Sequence, residues 1–152
     1  MITDNFGEKA AALFATGMNC AQAVFCAFAD VFGMDADTAA KVSSGLGGGV
    51  GRMREVCGSV LGAAMVCGLK LGSADPADLT SKAKVYEVIQ RIGARFKEAN
   101  GSIVCRELLG QTDAAPGSAT PEARTASYYR RRPCAELVRM AADILEDELA
   151  RA

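Results

Sequence analysis

Apolar residues recur every three or four positions through nearly every segment of this chain, and no run alternates apolar with polar as a half-buried strand does. That periodicity predicts an all-α fold. A first helix is expected from about Asp4 to Thr16, with Phe6, Ala10, Leu13 and Phe14 on one face and Gly17 closing it. Asn19 caps a second, central helix that runs to Phe32 through Val24, Phe25 and Phe28, and Asp35 starts a short third one reaching Ser44. The run Gly45-Leu46-Gly47-Gly48-Gly49-Val50-Gly51 is too rich in glycine for regular helix. A fourth helix, Val56 to Leu71, carries Gly58, Gly62 and Gly68 among apolar residues, so the tightest packing is expected there. A long amphipathic helix follows from Pro76 to Ala99, then a short one capped by Ser102 and reaching Leu109. Gly110 to Ala126 reads as a surface loop, and Pro133 opens a last helix to Leu149. The expectation is one domain, 1–152, built as a compact bundle of about six helices with the glycine-rich loop leading into its centre.

A chain of 152 residues buries most of its apolar surface without disulfide staples, so its six cysteines need another explanation. Met1 to Lys9 lacks the basic start and apolar core of a secretion signal, so the cytoplasm, where thiols stay reduced, is the expected compartment. Cysteines there point to metal binding or redox chemistry. Four of them, Cys20, Cys57, Cys105 and Cys134, fall at or near a predicted helix start. Unpaired backbone N–H groups and the positive end of the helix dipole favour thiolate at such positions. The four are therefore candidate ligands of one anionic centre. An iron–sulfur cluster takes four cysteines in this way, and so does a closed zinc site. No two of the four are spaced as C-x-x-C, so any site must be assembled from distant segments, and thiol–disulfide chemistry would likewise need the fold to bring thiols together. Cys67 lies on the apolar stripe with Val60, Ala64 and Leu71 and reads as core. Cys26 shares the polar side of its helix with Gln22 and Asp30 and reads as an auxiliary or subunit-contact thiol.

Several functions are excluded. The chain contains no histidine, which removes c-type haem attachment, histidine acid–base catalysis and mixed Cys/His zinc sites. The glycine run lacks the G-K-[ST] ending of a phosphate loop and the spacing of a dinucleotide fingerprint. It reads either as a flexible link or as backbone that crowds a buried cofactor. Net charge is −1 and, apart from Arg130 to Arg132, basic residues are scattered, so no nucleic-acid partner is expected. The longest apolar stretch, Val56 to Leu69, falls short of the ~20 residues that span a bilayer. Arg52, Arg54, Arg106 and Arg132 lie near the candidate cysteines in sequence. Each reads either as a solvated side chain or as a cation that offsets a cluster's charge, with Arg52 and Arg132 the better placed. Small-residue helix faces leave room for a homodimer.

The segment Cys57-Gly58-Ser59-Val60-Leu61-Gly62, together with Asn19-Cys20-Ala21, Cys105-Arg106-Glu107 and Pro133-Cys134-Ala135, resembles the family of redox-active proteins named for its C_GCAxxG_C_C pattern. The resemblance covers nearly the whole chain, and Ser59 stands where the family carries alanine. Carried over position by position, the pattern selects the same four cysteines. It implies a helical protein tied to oxidoreductase or transport systems. The resulting expectation is a [2Fe–2S] or [4Fe–4S] centre on Cys20, Cys57, Cys105 and Cys134 that exchanges electrons with a partner oxidoreductase. A structural or regulatory zinc-thiolate module and a thiol–disulfide redox protein are the alternatives.

Overall fold

A computed structural model describes residues 5–110 and 118–152. The expected helix start at Asp4 and the middle of the expected Gly110–Ala126 loop lie outside the described residues. Within them the protein is all-α: eight α-helices, six of them seven residues or longer, and no strand beyond a single bridge between Val56 and Val104.

Helix α1 (Phe6–Ala15) begins where Asn5 accepts a hydrogen bond from the Glu8 amide at 3.0 Å, and it buries Ala10 and Phe14. The run α2 (Cys20–Ala29) starts on a reciprocal capping box, in which the Asn19 side chain accepts from the Gln22 amide and the Gln22 side chain accepts from the Asn19 amide. Its expected last turn, Asp30 to Phe32, tightens to a 3-10 turn that Gly33 closes at φ 88°. Asp35 caps α3 (Ala36–Ser43) as expected.

The fourth helix, α4 (Gly58–Leu71), begins two residues later than its apolar pattern suggests, because Val56 is engaged in the bridge to Val104. Helix α5 (Leu79–Asn100) is capped by Asp78 rather than starting at Pro76, and Gly101 ends it at φ 86°. Ser102 does not cap the next helix. Its hydroxyl accepts from the Val104 amide at 2.9 Å and bonds the Glu107 carboxylate, so α6 (Cys105–Leu109) starts two residues further on. A six-residue helix that the sequence pattern did not reveal, α7 (Ala126–Arg131), is capped by Thr125, and Pro133 then caps α8 (Cys134–Arg151).

Helix α2 lies at the centre, packed on α1, α3, α4 and α8. Seven of its ten residues are buried. Glycine lets α4 come close: a Cβ on Gly62 would stand 2.7 Å from the Ala21 carbonyl oxygen, and one on Gly58 would stand 3.1 Å from the Ala21 nitrogen and the Cys20 Cβ. These contacts hold the starts of α2 and α4 side by side. No helix of the described residues is long and apolar enough to cross a membrane.

One buried charge ties α5 to α8. Glu148, 3 % exposed, accepts from Arg91 at 2.8 Å and Arg95 at 2.9 Å, and these guanidinium bonds hold its carboxyl below the usual carboxylate range. The unfolded chain therefore takes up this proton at higher pH than the folded one. The contribution is complete above about pH 4.3, the ordinary glutamate value, and is lost as pH falls through the lowered native value. Glu148→Gln is expected to lower stability at pH 7 by about 1.5–3 kcal/mol, the range for hydrogen bonds to a charged group. Urea midpoints at pH 7 and pH 3 check this, since the variant should lose less than the wild type on acidification.

Candidate functional site

The four cysteines singled out by helix position converge, although the segments that carry them are far apart in the chain. Cys20, Cys105 and Cys134 are the first residues of α2, α6 and α8, and Cys57 is the cap of α4. All four line one small cavity of about 50 Å3, with Gly48, Gly49, Arg54, Arg124, Tyr128 and Arg132 among its other walls. Cys26 and Cys67 do not line it. Cys67 is fully buried in the core, and Cys26 is half-buried on α2, where Ser43 and Asp30 are its polar neighbours.

Two local devices bring the thiols together. A short antiparallel pairing joins the residues before α4 to those before α6: the Cys57 amide donates to the Ile103 carbonyl at 2.7 Å and the Cys105 amide to the Glu55 carbonyl at 2.6 Å. That places Cys57 beside Cys105. The close approach at Gly58 places Cys20 beside Cys57.

The glycine run forms the third wall. Five consecutive residues, Gly48 to Arg52, have φ between 55° and 70°, and Arg54 follows at 61°. Such values are cheap for glycine and strained for Val50, which is β-branched. Backbone hydrogen bonds hold the shape, from Gly51 to Gly45 at 2.8 Å, Arg54 to Gly48 at 3.0 Å and Glu55 to Gly49 at 2.9 Å. The loop is therefore a hydrogen-bonded structure rather than a loose link. A Cβ on Gly49 would stand 2.6 Å from the Glu55 nitrogen and 2.7 Å from the Cys105 Cβ, so only a bare backbone lets Cys105 sit there.

The electrostatics of the chamber differ from what helix starts alone imply. Burial pushes the Cys57 thiol up to about 11 and raises Cys105, although Arg54 pulls the latter back. Desolvation of a thiolate outweighs the helix dipole at both. Cys20 and Cys134 form a pair: the Cys20 thiol donates a hydrogen bond to the Cys134 sulfur, which raises Cys20 and lowers Cys134, and the charges of Arg132, Arg124 and Arg54 lower Cys134 further. Cys134 is thus the most readily ionised thiol of the four.

Among the arginines near the cysteines in sequence, Arg54 touches a thiol. It is 3 % exposed, and its Nη1 donates to the Cys105 sulfur at 3.8 Å. Arg132 also lines the chamber, stacked over Tyr128 at 4.7 Å and paired to Glu122. Arg52 turns away to the carbonyls of Ser118 and Thr120, and Arg106 pairs with Glu55 at the surface.

Sequence reasoning missed Arg124 and Tyr128. The Arg124 guanidinium lies 4.7 Å from the Phe14 ring and 4.8 Å from the Tyr128 ring, and it donates to the Met18 carbonyl at 2.9 Å. Thr125 followed three residues later by buried Tyr128 was the available signal for a helix there, but nothing local pairs Arg124 with α1.

Among the described residues no three Cys, Asp or Glu side chains stand where one metal ion could be held. A family model described as "Putative redox-active protein (C_GCAxxG_C_C)" matches residues 18–148 of the chain. No curated protein and no solved structure matches it.

Proposed function

Because the chain belongs to the C_GCAxxG_C_C family of redox-active proteins, we propose that its four-cysteine chamber holds an iron–sulfur cluster and exchanges electrons with a partner oxidoreductase. The observation that carries this reading is the convergence of Cys20, Cys57, Cys105 and Cys134, from four distant helix starts, on a single cavity. The donor set fits the group. It offers four sulfurs and no histidine or carboxylate, the ligand chemistry of [2Fe–2S] and [4Fe–4S] centres.

A closed tetrahedral zinc site would draw on the same four sulfurs. A bound cluster would supply a one-electron carrier, with its potential set in part by charges and hydrogen bonds around the sulfurs. Arg54, Arg124 and Arg132 provide that positive surround. Cys20, Cys57 and Cys105 would release their protons on binding iron, which makes loading favour higher pH.

A specific contact favours a second reading. The Cys20–Cys134 hydrogen bond couples a thiol to the most readily ionised of the four, and from its thiol–thiolate form this pair could close a disulfide, passing two electrons to the partner oxidoreductase and releasing one proton. Iron and acid-labile sulfide in protein purified without oxygen, beside a variant with serine at all four positions, tests the proposal. Stoichiometric iron and sulfide in the wild type alone is the expected result. Colourless protein that also fails iron reconstitution would overturn it, with zinc content pointing to the structural module and absence of metal to the disulfide pair.

A further inference from the structure

The thiol chamber has a larger neighbour. A second cavity of about 380 Å3 shares Asn19, Gly48, Arg54, Arg124, Tyr128 and Arg132 with the first, so the two spaces meet across these side chains. Its volume falls in the range of small-molecule sites. Four arginines line it, Arg52, Arg54, Arg124 and Arg132, against one carboxylate, Glu122, which already pairs with both Arg131 and Arg132.

Among the described residues three of these cations, Arg52, Arg54 and Arg124, pair with no carboxylate, Arg52 donating to the Ser118 and Thr120 carbonyls. Among the described residues Arg54 donates to the Cys105 sulfur alone, and its Nε is buried with no hydrogen-bond partner. Arg124 donates to the carbonyls of Phe14 and Met18 and to the Tyr129 hydroxyl, all of them uncharged. A guanidinium 97 % removed from water with an idle N–H is costly to maintain. An anion in the vestibule would complete its bonding, and forked guanidinium donors match the paired oxygens of an oxyanion or carboxylate.

We propose that this vestibule is a binding site for a small oxyanion or carboxylate, held by Arg54 and Arg124 with Arg52 at its mouth, directly outside the four-cysteine chamber. The site goes beyond the cluster reading and holds whether the chamber carries a cluster or a disulfide pair. It places an anionic reactant next to the redox centre, where neutral and cationic molecules have no matching partner.

The test is calorimetric titration of the full chain, purified without oxygen, with sodium sulfate and with sodium acetate at matched ionic strength in chloride. Saturable binding of at least one anion is expected, weakened about tenfold or more in Arg124→Gln and unchanged in Arg139→Gln, whose arginine lies away from the vestibule on α8. If Arg124→Gln does not fold by circular dichroism, Arg52→Gln should show the weakening. Absence of saturable binding in folded wild type, or equal binding in wild type and the folded vestibule variant, overturns the proposal. Iron and sulfide in the same samples report on the cluster separately, so the two ideas fail independently.

Discussion

Gly49→Ala should destabilise the protein by about 2–5 kcal/mol, the sum expected for a left-handed alanine and an overpacked contact. Gly49 sits at φ 70°, and its Cβ would meet the Glu55 nitrogen, the Arg54 Cα and the Cys105 Cβ, all closer than 3.0 Å. Two of those three atoms are backbone, so no flexible side-chain end can swing aside. The damage is aimed at the site: the same backbone carries the Glu55 carbonyl that receives the Cys105 amide. A lowered urea midpoint at unchanged m is the expected signature, together with loss of bound iron. By contrast, Gly51→Ala adds a Cβ 3.9 Å from its nearest neighbour and carries only the left-handed strain, so its effect should be the smaller of the two.

The second large effect concerns the cysteines one at a time. Serine at Cys20, Cys57, Cys105 or Cys134 should each remove most of the bound iron, because a cluster with three thiolates loses a ligand for which the chamber offers no substitute. Cys26→Ser should retain its iron, since that thiol faces Ser43 and not the chamber. Cys67→Ser should also retain iron but lose about 1–3 kcal/mol of stability, because a hydroxyl replaces a sulfur in a fully buried apolar setting. Iron per chain and thermal midpoint, measured on the six variants together, separate ligand loss from loss of packing.

Much of this architecture was legible in the sequence because it is local. The Asn19–Gln22 capping box, Asp35, Gly33 and Pro133 each act within a few residues, and the helices they bound appear close to where the pattern places them. The four helix-start cysteines were visible for the same reason. What escaped was non-local. Cys57 meets Cys105 through an isolated bridge at Val56 and Val104, too short to leave an alternating strand pattern. Arg124 is seated by Phe14 and Met18, over a hundred residues earlier, so from sequence it belongs to a loop. Helix α7 buries only Tyr128, which leaves no stripe to read.

The protonation of the thiols shows where a local rule yields to the fold. Helix starts alone argue for four thiolates, yet burial raises the Cys57 and Cys105 thiols, and the hydrogen bond between Cys20 and Cys134 raises the former while it lowers the latter. The size of the desolvation penalty depends on how tightly Gly49, Gly58 and Tyr128 close the chamber, and none of that closure is written in the spacing of the cysteines.

If these four sulfurs hold a one-electron centre, an anaerobic redox titration that counts electrons per chain while following visible absorption will show it. One electron per chain is expected, with reversible bleaching of an iron–sulfur band that is absent from Cys134→Ser. Uptake of two electrons with no visible change would contradict it and assign the chemistry to a Cys20–Cys134 disulfide.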